Sequence, residues 1–325
     1  LDCGDAGTGI KRVGKTGNEQ CNVHRRSVCG YRQRHKGTIS TGRRRCQGDR
    51  RGQRNATLIA VMAILMHGTN LELAPTIASV VQQERRGVAR ALDDFVAMGF
   101  VSAQLDATLP GIRPRELDRT ARRELAAAFA RRGAQLAGLD LSIPRQHYLE
   151  SGRLDRAVAA TVAGIKLAAD LGKVPLNIAL PVEQLGDDIL AAMVEAADGH
   201  SVRLAVHAED QLQALGHWVR DVDLPALGAA IDPAALIANG LDPVAVVHEL
   251  ADHLTIARLS DCRRNAELRR CVVGHGELDV ATYRVALDLA TGRTGPVVLD
   301  LLGLDDPITA AAAAKTEWDR AAFVV

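Results

Sequence analysis

At 325 residues the chain has room for one large or two ordinary domains, and its 47% hydrophobic content supports a sizeable core, which excludes wholesale disorder. No apolar run reaches the roughly 18 residues of a membrane helix, no repeat marks collagen or a coiled coil, and six Cys are too few for a disulfide scaffold of this length. Lys+Arg (40) and Asp+Glu (39) balance overall, yet residues 1–55 carry a net charge of +10 and the remainder −9.

The basic stretch is rich in Gly, Arg, Thr and Gln, and it holds Cys3, Cys21, Cys29 and Cys46. Their spacing contains no paired Cys of the zinc-module type. Three readings stand: a nucleic-acid-binding arm, an unstructured leader with no core to bury, or upstream sequence translated in error ahead of Met62. One of the last two is expected. Ala56–Met66 is apolar, but a basic leader of 55 residues is too long an approach for a signal peptide and no small-residue cleavage site follows. Cys262 and Cys271 read as free thiols, so a reducing, cytoplasmic compartment is expected.

From residue 69 short apolar runs alternate with amphipathic segments. Strands are predicted at Leu71–Ala74, Val101–Leu105, Gln135–Leu141, Val174–Leu180, Val202–Val206, Leu227–Ile231, Leu254–Leu259 and Pro296–Leu301. Between them, helical spacing is predicted over Arg86–Met98, Arg115–Arg132, Leu154–Leu171, Asp187–Ala197, Pro243–Ala251 and Asp279–Ala290. Gly99, Gly133 and Gly172 each precede a strand where a helix needs a left-handed closing residue. Eight strands alternating with helices over 69–320 predict an α/β protein, a single (β/α)8 TIM barrel. No Gly-x-Gly-x-x-Gly follows a strand, which removes the dinucleotide-binding doubly wound alternative.

In such a barrel chemistry sits at the carboxyl ends of the strands. Those ends carry Asp106 on the second strand and Asp140 on the third, with His147 in the loop beyond. They carry His207 with Glu209 on the fifth, Asp232 on the sixth, Arg258 and Asp261 on the seventh, and Asp300 on the eighth. Asp at a strand end also caps helices, and Asp232 before Pro233 fits that role.

The order of these pieces resembles the xylose isomerase-like TIM-barrel superfamily of sugar phosphate isomerases and epimerases, over residues of about 70 to 320. The resemblance rests on Ala97-Met-Gly-Phe100, Ala168-Ala-Asp-Leu-Gly172, Ala230-Ile-Asp232, Leu259-Ser-Asp261 and Gly274-His-Gly276-Glu-Leu-Asp279. It also rests on the run from Gly295 to Asp300, with Asp305-Asp-Pro307 after it.

That resemblance implies a divalent metal (Mn, Co, Mg or Zn) held by Glu, Asp, His and Glu on strands five to eight. The metal orients two adjacent substrate oxygens while carboxylates relay a proton. Here the four positions fall on His207, Asp232, Arg258 and Asp300, which leaves His207, Asp232 and Asp300 as metal ligands. Arg258 stays protonated and cannot ligate. The family set brings three negative charges to the cation, whereas this one brings two negatives and a positive. Arg258 between Asp232 and Asp300 can instead form a cluster in which guanidinium replaces the metal. Asp300 and His207 are then the candidate catalytic groups, with Glu209 as a supplementary ligand or base. Arg258, Arg264 and His147 are the candidate substrate-binding residues.

The resemblance implies a sugar or sugar-phosphate isomerase or epimerase acting on a small keto- or aldo-sugar, in a barrel that commonly pairs as a homodimer. The alternatives are a catalytically degenerate barrel that holds an anionic ligand at Arg258 and Arg264, and an endonuclease IV-like metal-dependent nuclease. The net −9 of the barrel opposes nucleic acid as a partner, and no membrane association is expected.

Overall fold

The computed structural model describes residues 71–264, 268–290 and 295–322. The expectations for residues 1–55 and for Ala56–Met66 lie outside the described residues. Within them, eight parallel strands alternate with helices: β1 (Leu73–Pro75), α1 (Ala78–Glu84), α2 (Val88–Ala97), β2 (Ser102–Asp106), α3 (Arg119–Ala130) and β3 (Gln135–Leu141) come first. A 3-10 turn (Arg145–Tyr148) leads into α4 (Ser151–Asp170), then β4 (Leu176–Ala179), α5 (Asp187–Gly199), β5 (Leu204–His207), α6 (Leu212–Val222) and β6 (Leu227–Ile231). The chain continues through α7 (Pro233–Ala238), α8 (Pro243–Glu249), β7 (Leu254–Leu259), the hairpin β8 (Asp261–Arg264) with β9 (Leu268–Cys271), α9 (Val280–Leu289), β10 (Val297–Leu299) and α10 (Pro307–Ala321).

The main sheet runs β1-β10-β7-β6-β5-β4-β3-β2 with every pair parallel. Its two ends meet through the parallel bridge Thr76–Gln104 and a 3.0 Å hydrogen bond from the Ile77 N–H to the Gln104 carbonyl. The result is a nearly closed (β/α)8 barrel, as predicted. Strands at Gln135–Leu141, Leu227–Ile231 and Leu254–Leu259 fall where the apolar runs placed them. Gly99, Gly133 and Gly172 adopt φ of +84°, +67° and +112°, so each supplies the left-handed turn expected of it.

The principal core lies between the strands and the helical ring and includes Phe95, Tyr148, Tyr283 and Trp318. Inside the barrel, Ala205, Ala230, Ile256 and Val298 form a second, small buried cluster. Both faces of the strands are thus covered, which is why the central runs read as continuous apolar stretches rather than alternating ones. Trp318 Nε1 donates to the Leu71 carbonyl at 2.7 Å and so anchors α10 to the chain entering β1. Tyr283 on α9 donates its hydroxyl to the Arg258 carbonyl at 2.9 Å, which fixes the end of β7. Asp118, Asp232, Asp242, Asp279 and Asp306 each cap the helix that follows.

The hairpin β8–β9 breaks the alternation and was not foreseen. Asp261, read from sequence as a rim polar group or turn cap, is buried at its base. Its carboxylate accepts from the backbone N–H groups of Cys262 (2.9 Å), Gly274 (3.0 Å), Gly276 (2.8 Å) and Leu278 (3.0 Å). A Cβ on Gly276 would lie 2.1 Å from Asp261 Oδ1, so only glycine lets the chain pass this close. Among the described residues no helix is long and apolar enough to cross a membrane.

Candidate functional site

At the carboxyl ends of the strands a cavity of about 230 Å3 opens to solvent. It is lined by Asp140, His207, Glu209, Asp232 and Arg258 together with Leu141, Ser142, Ile143, Ala179 and Leu302. Each polar wall falls within the last two residues of its strand or just beyond, because parallel strands of one barrel end at one rim. The structure brings His207, Asp232 and Arg258 to one cavity, with Asp300 hydrogen-bonded to Arg258.

Arg258 lies at the centre. Its Nη1 donates to Asp300 Oδ2 at 2.6 Å and its Nη2 to Asp140 Oδ2 at 2.7 Å, so the guanidinium spans from β7 across to β3 and to the end of β10. Burial opposes its charge, but the flanking Asp140, Asp300 and Asp232 carboxylates outweigh that and hold it above the ordinary arginine range. A second guanidinium enters from the hairpin. Arg270 Nη1 donates to Asp300 Oδ2 at 2.8 Å, and its Nη2 pairs with Asp232 Oδ2.

The carboxylates are held by this pair and by nearby backbone. Asp300 is fully enclosed, and its Oδ1 accepts from the Leu302 N–H at 3.0 Å. Burial works against its charge, yet Arg258 and Arg270 hold the carboxyl well below the usual range. Asp232 caps α7 through Ala234 N–H at 3.1 Å and accepts from the Ser260 hydroxyl. Asp140 differs. It accepts from Arg258 and, at 3.0 Å, from Asn177 Nδ2, but burial dominates and its pKa is raised.

At the end of β5, His207 Nδ1 lies 2.6 Å from Glu209 Oε1. The Glu209 carboxyl resists ionisation through burial, and the His207 charge and hydrogen bond overcome this and lower its pKa. In the neutral imidazole whose Nδ1–H donates to Glu209, Nε2 carries the lone pair. That Nε2 is buried and has no partner among the described residues.

Two expected substrate contacts lie elsewhere. Arg264 points along the hairpin, where its Nη2 donates to the Ile237 carbonyl at 2.6 Å and its Nε lies 3.6 Å from Glu277; it does not line the cavity. His147 sits half-buried on the 3-10 turn and is likewise absent from the lining. Conversely, Arg270 carried no sequence signal, since only the β8–β9 register, Cys262 opposite Arg270, brings it over the barrel mouth. Asp140 was visible as a strand end, but its Arg258 partner lies 118 positions away.

Among the described residues no group of three or more His, Cys, Asp and Glu side chains is placed to hold an ion. Asp232 and Asp300 have all four oxygens in hydrogen bonds, and Arg258 and Arg270 bring two positive charges to where a cation would sit. His207 Nε2 is the one donor of the expected three left free.

No protein-family model matches the chain, and no curated protein matches it. Solved structures do match over the barrel. A xylose isomerase-like TIM barrel protein from Mycobacterium smegmatis, in complex with magnesium, superposes with a TM-score of 0.60 at 15% identity, over 78% of this chain and 97% of the other. D-psicose 3-epimerase from Clostridium cellulolyticum, solved with D-tagatose, gives 0.61 at 13% identity over 77% and 99%. The 3-keto-D-glucoside 4-epimerase of E. coli gives 0.59 at 13% identity over 77% and 100%. The chain has the xylose isomerase-like TIM-barrel fold, shared with sugar epimerases.

Proposed function

We propose that the cavity binds a small uncharged keto- or aldo-sugar and moves a proton at a carbon beside its carbonyl, as an isomerase or epimerase does. The observation that carries this reading is the His207–Glu209 pair, in which Glu209 fixes the Nδ1 proton and leaves Nε2 unpartnered at the cavity wall. A neutral imidazole oriented by a carboxylate is a general base suited to pH 7. Asp140 lines the same cavity, and burial raises its pKa, the direction a proton-donating carboxyl requires. Asp300 serves instead as an anchor for the two guanidiniums, since it is enclosed and doubly ion-paired.

The charge of the walls selects the ligand. Glu209 and Asp232 line the cavity with Arg258, whose described hydrogen bonds already go to Asp140 and Asp300. A phosphate would enter an acidic site whose cations are already paired. A polyol, which offers both donors and acceptors, suits these walls better.

The test is deuterium exchange. The protein is incubated in D2O with a panel of ketopentoses, ketohexoses and their aldose isomers, and carbon-bound deuterium is followed by NMR. Exchange beside the carbonyl is expected, with a loss of about 100-fold or more in His207→Gln. Absence of exchange and of saturation transfer with every sugar would overturn the reading.

A further inference from the structure

The two guanidiniums do more than brace the rim. Superposable barrels include one solved with magnesium, yet here the carboxylates at the metal-side strand ends are tied to each other through arginine. Asp300 Oδ2 receives both Arg258 Nη1 at 2.6 Å and Arg270 Nη1 at 2.8 Å, and Arg270 continues to Asp232 Oδ2. The remaining oxygens are held by Ser260, by Ala234 N–H and by Leu302 N–H. Arg258 is nine-tenths or more buried, and Asp300 and Asp232 are buried with it.

We propose that Arg258 and Arg270 form a resident guanidinium pair that occupies the place of a divalent cation, so that this site excludes metal ions and works without one. The inference rests on the same cavity as the sugar reading, but it concerns what the site admits rather than what it converts.

Placement of Arg270 is built into the fold. Asp261 gathers four backbone N–H groups at the base of the hairpin, and Cys262 Sγ lies 3.6 Å from the Ala234 carbonyl. Cys262 and Arg270 are opposite one another in the β8–β9 register and therefore share a face, the face that packs over α7. The hairpin thus delivers a fixed positive charge to the mouth, and Arg258 supplies a second from beneath it. A dication would have to displace three charge-assisted hydrogen bonds and stand beside the two cations it displaced. Guanidinium, always charged and rich in donors, is suited to hold carboxylates apart and to present N–H groups to a ligand oxygen. Among the described residues, Arg258 Nε has no partner.

The test uses the full chain and Mn2+ as the probe, read by the loss of the free-ion electron paramagnetic resonance signal. Wild type is expected to bind none at about 1 mM and to keep its Tm in EDTA. Arg270→Ala, at the half-exposed rim, is expected to gain at least about tenfold in Mn2+ affinity, and the gain should vanish when Asp232→Asn is added. Arg258→Gln with Arg270→Ala provides a second variant if one positive charge is enough to exclude the ion. One equivalent bound by wild type and lost in Asp232→Asn would overturn the proposal, as would no gain in either arginine variant while both stay folded. Sugar exchange is measured separately, so a protein that excludes Mn2+ but exchanges no sugar refutes the sugar reading and leaves this one standing.

Discussion

His207 and Glu209 stand two positions apart where β5 runs out, and the second makes the first useful. Glu209→Gln leaves the shape intact but no longer holds the Nδ1 proton, so exchange beside the sugar carbonyl should fall about 10- to 100-fold, measured in D2O as for His207→Gln. Asp300 carries the opposite kind of role. Its pKa is lowered on folding, so its contribution to stability is present above the ordinary carboxylate value of about 4 and is lost as pH falls through the lowered one. Asp300→Asn should cost about 3–5 kcal/mol at pH 7, because two guanidiniums lose a partner. The gap from wild type should narrow below about pH 4, as urea titrations at both pH values will show. Tyr148 gives the alkaline counterpart. Burial pushes its hydroxyl up to about 12, and it sits 2.8 Å from Thr161 Oγ1. The stabilisation by its neutral form is complete below about pH 10 and fades as pH rises through the shifted value. Tyr148→Phe should cost about 1 kcal/mol at pH 7 and abolish the titration near 12.

Among the elements, the segment from β8 to α9 holds the most information per residue. Asp261→Ala would strand four buried or half-buried backbone donors, and Gly276→Ala would drive a Cβ into the Asp261 carboxylate. Each should lower stability by about 3 kcal/mol or more. Because the hairpin carries Arg270, each should also bring Mn2+ binding closer to that of Arg270→Ala; thermal melts and the Mn2+ titration check both. The sequence motif Gly274-x-Gly276-x-x-Asp279 was legible here, and so were the strands at Gln135–Leu141 and Leu254–Leu259, whose apolar runs are buried on both faces. α1, α6, α7 and α10 were not foreseen. α7 is a six-residue turn started by Asp232 and Pro233, and α10 is so rich in alanine that its apolar stripe has little contrast. The site divides the same way. His207, Asp232 and Asp300 are strand-end residues and were found by alternation, whereas Arg270 depends on cross-strand pairing, which local periodicity does not encode.

Over the whole barrel, the guanidinium–carboxylate lattice couples strands that are far apart in sequence: Arg258 on β7 reaches β3, and Arg270 joins the ends of β6 and β10. The mouth is therefore cross-braced rather than hinged. The opposite is true of the seam between β1 and β2. β1 is three residues long, and among the described residues its junction with β2 rests on the Thr76–Gln104 bridge, the Ile77 N–H bond to Gln104 and a 3.4 Å contact from Ser102 Oγ to the Leu73 carbonyl. A hoop with one slender clasp parts at the clasp. Amide protons of Ile77 and Gln104 should trade with solvent by a partial opening that leaves Leu204–His207 and Leu227–Ile231 protected, so the ring unrolls from this edge before the far side lets go.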